Sequence, residues 1–338
     1  NKNKYDLKQA EEKVAAYLDS LEDAIEGDRK AQGKKPLKSK LSEQPPKTKD
    51  TKISRTDPDS GYMVREGKPK GFFYLDHRTV DGRNAIITDS YATPANLHDS
   101  RPYLDRLDRQ CERFGFDVWG VGLDAGYYTA GICKGLEDRG LYGVMGYRRP
   151  NKPKGYLPKR AFTYDPETNS YRCPQGQQLI YATTNRLGYR EYKSNPTNCK
   201  DCPLLSQCTR SANHVKVLTR HVWQDSKDRT DSYRLTPWGK ALYKRRQETV
   251  ERSFADAKQL HGHRYARLRG LSKVREQCLL AAAAQNMKKI AQILARLLWL
   301  KSFGMPDLQG QIRKWARKMA CLAYWQSDRE YWAQSIAN

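Results

Sequence analysis

Apolar positions along the chain change their spacing several times, and each change marks an element. Val14, Tyr17, Leu18, Leu21 and Ile25 recur at helical intervals, so residues 10–25 predict an amphipathic helix. Residues 28–60 turn to Lys, Pro, Ser, Thr and Asp, with Pro36, Pro45, Pro46 and Pro58 among them, and read as a polar linker. The pattern then becomes strand-like. GFFYLDHRTV (71–80) and AIITDSYAT (85–93) flank Asp81-Gly82, a hairpin signal. NLHDS (96–100) precedes a helix over 101–114, VWGVGLD (118–124) is a short apolar strand, 129–139 a second helix, and 140–147 a further strand. This order predicts an α/β fold around a mixed sheet.

At Arg148 the alternation stops. Residues 148–231 are polar, with short β-like runs and four of the eight cysteines. Thr236-Pro237 then supplies an N-cap with Pro at the first helical position, for a helix running to about His261. A helix over 272–300 and a basic helix over 311–325 follow. The shifts divide the chain into a helix plus linker (1–60), the first part of an α/β core (61–149), a cysteine-containing insertion (150–232), a helical completion of the core (233–300) and a basic tail (301–338).

Charge narrows the function. Lys plus Arg number 62 against 38 Asp plus Glu, a formal charge of +24. An excess that large favours a polyanionic partner, nucleic acid above all. No run of about 18 apolar residues occurs, which excludes a membrane-spanning helix. Eight cysteines in 338 residues are too sparse for a disulfide scaffold and read as thiols or metal ligands.

Two carboxylates stand where chemistry is often placed. Asp124 ends the strand VWGVGLD, where sheets open into loops, although Asp-Ala-Gly also simply begins turns. Glu251 and Lys258 lie seven apart on one helix face, beside the stripe Val250, Phe254 and Ala257. Three phrases, TPANLHDS (93–100), LDAGYYT (123–129) and YKRRQETVERSFADAK (243–258), in this order and spacing, resemble the DDE transposases of bacterial insertion sequences, in the branch with a cysteine-bearing insertion before the last carboxylate. The resemblance runs from about residue 52 to 300. It implies an RNase H-like mixed sheet with flanking helices, and catalysis by two Asp and one Glu that bind Mg²⁺ or Mn²⁺. Asp124 takes the place of the second Asp and Glu251 that of the Glu. Lys258 takes the place of the lysine after the Glu, and Tyr243 and Arg246 those of the Tyr and Arg before it. Arg246 stands one residue further from Glu251 than the family spacing.

The implied chemistry suits such residues. In-line displacement at phosphorus uses two metal ions about 4 Å apart, and hard cations require clustered oxygen ligands. The family's first Asp stands on the first strand of the sheet. Nothing before Gly71 has that strand pattern, and the chain opens at Asn1 with NKNKYDLKQAEEK, which resembles the segment just after it. The expectation is that this Asp lies upstream of Asn1, with Asp57 or Asp59 of TDPDS as the alternatives inside the chain and Asp76 behind them. With two of three carboxylates, the chain is expected to bind DNA through charge without cleaving it. The implied partners are transposon ends and target DNA, bound by a homo-oligomer in the bacterial cytoplasm. A non-catalytic DNA-binding remnant, or a zinc-stapled regulator of the same fold, is the alternative.

Cys173, Cys199, Cys202 and Cys208 include one pair at two-residue spacing and fit a tetrahedral zinc site that would staple the insertion. Cys111, Cys133, Cys278 and Cys321 lie in helical patterns and read as core residues. Arg264, Arg267 and Arg269 after the Glu251 helix, and Arg148 and Arg149, form basic clusters suited to DNA phosphates. His261 and His263 read as hydrogen-bonded loop histidines rather than metal ligands.

Overall fold

A computed structural model describes residues 5–11, 18–38, 48–64, 67, 69–147 and 155–302. Strand β1 (Tyr5–Glu11) pairs antiparallel with β2 (Thr48–Ser54), Tyr5 opposite Ser54. Helix α1 (Leu18–Ala31) lies between them in the chain. The helix expected over 10–25 therefore starts later, and 28–60 contains helix and strand as well as linker. The pairing of β1 is non-local, so local periodicity does not reveal it. The predicted stripe holds further on, where Leu21 and Ile25 bury against Trp223.

Strands β3 (Gly61–Met63), β4 (Gly71–Val80) and β5 (Ile87–Pro94) form an antiparallel sheet in that order. The β4–β5 connection is longer than a two-residue Asp-Gly turn. Asp81 N–H reaches Ile86 O, the Asp81 carboxylate accepts from Arg83 and Asn84 N–H, and Ala85 takes a left-handed φ of 57°. Helix α2 (Tyr103–Phe114) docks on β5, with Gln110 and Thr88 hydrogen bonded at 2.8 Å, and ends at Gly115 in the left-handed region.

Strands β6 (Gly120–Leu123) and β7 (Tyr142–Met145) pair in parallel. Between them runs α3 (Ala130–Asp138), capped by Thr129 Oγ1 on Ile132 N–H. Leu107, Leu123, Ile132, Cys133, Leu136 and Met145 form the core of this layer. Burial pushes the Cys133 thiol up to about 11, as befits a core cysteine. The architecture is mixed α/β, as the pattern predicts. Among the described residues, however, β3–β5 and β6–β7 are separate sheets rather than one.

The insertion is a five-stranded antiparallel sheet of β8 (Thr163–Asp165), β9 (Ser170–Arg172), β10 (Gln178–Thr184), β11 (Tyr189–Ser194) and β12 (Val217–His221), in the spatial order β12-β11-β10-β9-β8. Phe162, Tyr171, Leu179, Tyr192 and Leu218 are its core. The short helices α4 (Pro196–Cys199) and α5 (Leu205–Cys208) carry three of its cysteines.

Helix α6 (Gln224–Tyr233) leads to α7 (Pro237–Arg246), whose N-cap Thr236 accepts from Gly239 N–H at 3.0 Å as predicted. A π-helical turn, Gln247–Glu251, joins α7 directly to α8 (Arg252–Leu260), and α9 (Leu271–Ser302) follows. Residues up to Ala281 form one compact unit. A second begins at Ala282, and its described part is the remainder of α9. No helix among the described residues is long and apolar enough to cross a membrane. Arg148, Arg149, Cys321 and the basic helix expected over 311–325 lie outside the described residues.

Candidate active site

The end of β6 is prepared by small residues. A Cβ on Gly122 would lie 3.4 Å from Arg246 Cβ, and one on Gly120 3.4 Å from Leu242 Cδ2, so α7 can sit directly on this strand. Asp124 follows as the N-cap of a 3₁₀ turn, Ala125–Tyr127, with Oδ1 accepting from Ala125 N–H at 2.7 Å. Its carboxylate is exposed. Tyr243 reaches the same point from α7: a Cβ on Gly146 would lie 2.7 Å from Tyr243 Oη and 3.2 Å from Ala125 N. Only glycine fits at position 146 with the tyrosine in this place.

Tyr127 reports the charges around it. Burial pushes its hydroxyl up, the negative charges of Asp99 and Asp124 add to this, and Arg246 opposes them. Asp99, from the NLHDS phrase, therefore belongs to this neighbourhood, its Oδ2 3.8 Å from where a Cβ of Gly126 would stand. The phrase carries the family likeness, but nothing in its spacing shows that Asp99 returns to the end of β6.

Glu251 closes the π turn. Its Oε1 accepts from Arg246 Nη1 at 2.5 Å. The extra residue between Arg246 and Glu251 is thus absorbed by i→i+5 hydrogen bonding, which stacks residues five apart as an α-helix stacks those four apart. The turn also re-phases the helix: the buried positions are Thr249, Ser253 and Ala257, with Val250 and Phe254 only partly covered. Beyond Glu251, the residues Phe254, Ala255, Lys258, Gln259 and Arg264 line an open groove of about 420 Å³. Glu251, Lys258 and Arg264 therefore share one surface. Arg267 packs instead over Gly262, where a Cβ would stand 2.5 Å from its Nη2, and Arg269 is exposed nearby.

Both ends of α8 are tied to β4. At one end Arg78 Nη1 donates to Ser253 Oγ at 2.9 Å and its guanidinium lies 4.7 Å from the Phe254 ring centroid. At the other, His263 Nε2 donates to Asp76 Oδ2 at 3.1 Å, and Arg78 Nη2 reaches that same oxygen at 2.6 Å. Asp76 Oδ1 accepts from Ser90 Oγ at 3.0 Å. Burial pushes the Asp76 carboxyl up, but the His263 hydrogen bond and the charge of Arg78 outweigh it and hold the group below the usual carboxylate range. Asp76, His263 and Cys278 place donor atoms within 4.8 Å of one another, the spacing of a metal site. The donors are already engaged, though. An ionised Asp76 accepts only, so His263 Nε2 must carry its proton towards it, and the Arg78 guanidinium stands where a dication would be repelled. This is an ion-pair network that fixes a helix.

Asp57 and Asp59 have a structural part of their own. Asp57 Oδ1 accepts from Gly270 N–H at 3.1 Å and from Tyr74 Oη at 2.9 Å, and Asp59 Oδ2 accepts from Leu271 N–H at 2.9 Å, so both hold the start of α9.

Cys173, Cys199, Cys202 and Cys208 line one cavity of about 30 Å³ in the insertion, together with His214, which spacing alone did not single out. Burial pushes the Cys208 thiol up. Lys216 opposes this, and Cys199, Cys173 and Cys202 add to it. The four thiols thus face one small cavity.

Residues 172–291 match the family described as the transposase DDE domain. Over that segment the chain is similar to transposase DDE domains. The matched segment covers about a third of the chain and contains the four cysteines, Tyr243, Arg246, Glu251 and Lys258, and Asp124 lies before it. No curated protein and no solved structure matches the chain.

Proposed function

We propose that this protein is a transposase that cleaves DNA at the ends of an insertion sequence and joins the freed 3′-hydroxyl to target DNA, with Asp124 and Glu251 as metal ligands. The observation that carries this reading is the convergence of Asp124, Asp99 and Tyr127 at the end of β6 with Arg246, which is itself bonded to Glu251. The donor set fits a hard dication: both carboxylates are exposed and both offer oxygen. When bound, Mg²⁺ or Mn²⁺ would activate the attacking oxygen and stabilise the leaving one.

The residues of the chain do the rest. Asp124 is held at the strand end by its own cap, and Glu251 is aimed by the π turn. Lys258 and Arg264 supply the charge that draws a phosphate into the groove beside Glu251. Tyr243, wedged on Gly146, keeps α7 against the strand end. Cys173, Cys199, Cys202 and Cys208 would hold zinc as thiolates at the cavity they line, and would order the loops that carry α4 and α5.

The test is Mg²⁺-dependent nicking of element-end DNA. Glu251→Gln and Asp124→Asn should each abolish nicking and leave salt-sensitive DNA binding nearly intact. Variants that still nick would remove both residues from the chemistry.

A further inference from the structure

Glu251 already has a cation. Arg246 Nη1 lies 2.5 Å from its Oε1, five residues away in sequence. In an α-helix, residues five apart are turned by roughly 140° from one another and do not meet. The π turn Gln247–Glu251 takes up most of that rotation and makes the pair possible.

Arg246 is also held from its other sides. Its stem covers Gly122 of β6, and its guanidinium lies 5.6 Å from the Tyr243 ring centroid. Its side chain is 13% exposed, against 52% for Glu251. A nearly buried, fixed cation is therefore presented to one oxygen of a half-exposed carboxylate. Its charge also acts on Tyr127, the hydroxyl on which the charges of Asp99 and Asp124 act in the opposite sense.

Resting on the reading of Glu251 as a metal ligand, we propose that Arg246 is a built-in counter-ion of the carboxylate site, occupying Glu251 in the metal-free protein and giving it up when a divalent cation loads. The π turn is the device that sets this competition. A guanidinium beside the site neutralises the carboxylates before loading and opposes an incoming dication, so it weakens metal binding by the protein alone. DNA phosphate, by competing for the same guanidinium, would relieve that opposition and couple loading to the substrate.

The experiment is calorimetric titration of the 338-residue chain with Mn²⁺, comparing wild type, Arg246→Gln, Arg246→Lys and Glu251→Gln. Removing the charge in Arg246→Gln should tighten the Glu251-dependent Kd by about fivefold or more, and Arg246→Lys, which keeps it, should stay within about twofold of wild type. Equal or weaker binding in Arg246→Gln overturns the proposal, because Arg246 would then support the site rather than compete for it. If Glu251→Gln binds Mn²⁺ as wild type does, the metal-ligand reading itself fails and takes the proposal with it. Because Arg246 also packs on Gly122, a second readout uses unaltered protein: Mg²⁺ should shift the Arg246 Nε–H resonance and speed its solvent exchange. A resonance indifferent to saturating Mg²⁺ overturns the proposal independently.

Discussion

Replacing Arg78 by Met tests how the helix bearing Glu251 is held. The Arg78 side chain is 0% exposed and that of Asp76 8%. The substitution removes the bonds to Ser253 and the cation over Phe254, and it strands the Asp76 carboxylate with only Ser90 and His263 as hydrogen-bond donors. Breaking one side of a buried pair costs about 3–5 kcal/mol, whereas replacing both partners with apolar groups of similar size is often close to neutral. Arg78→Met should therefore lose about 3 kcal/mol or more, and Asp76→Leu combined with Arg78→Met should lose less than the single change. Urea unfolding followed by circular dichroism gives the energies, and deuterium exchange over 252–260 shows whether α8 is the part released. A single variant within about 1 kcal/mol of wild type, or a double variant worse than the single, would refute the claim that this buried pair holds α8.

Other consequences can be checked directly. Gly146→Ala should cost about 1–3 kcal/mol through collision with Tyr243 Oη, and adding Tyr243→Phe should recover part of it in a thermal melt. His221 accepts from Trp223 N–H through Nδ1 at 3.0 Å, and burial, helped by Lys227 and Arg190, pushes it down to about 4. The unfolded chain binds this proton first, so stability should fall between about pH 6.5 and 4, by roughly 2 kcal/mol at pH 4.5, and His221→Gln should flatten that limb of the pH profile. Protein purified without chelators should carry zinc by elemental analysis and lose it in Cys202→Ser; metal-free wild type would remove the zinc proposal.

Much of the fold was legible because it is local. The strands about Gly71 and Ile87, the cap Thr236 and the long helix after Leu271 all announce themselves within a few residues. The ribbon of β1 and β2 did not, since its pairing crosses an intervening helix. The site divides the same way. Asp124 and Glu251 could be singled out by position and motif, and Arg246 by its spacing to Glu251, but the π turn that reconciles that spacing is a backbone choice with no residue signature. Asp76 and His263 can be picked out from the sequence, but the network that joins them to Arg78 stayed hidden because the partners lie far along the chain: Arg78 meets Ser253, and Asp76 meets His263. His214 sits in a turn with a left-handed φ of 56°, and only the folded insertion shows it facing the cysteines.

A single metal site built from both the end of β6 and the π turn of the Glu251 helix can be mapped directly. Fe²⁺ with ascorbate, standing in for Mg²⁺, cuts a polypeptide backbone beside the bound ion, and mass spectrometry maps the cuts. Cleavage is expected near both Asp124 and Glu251, suppressed together by excess Mg²⁺ and lost together in Asp124→Asn. Cuts at only one of these positions, or cuts that Mg²⁺ does not suppress, would contradict it.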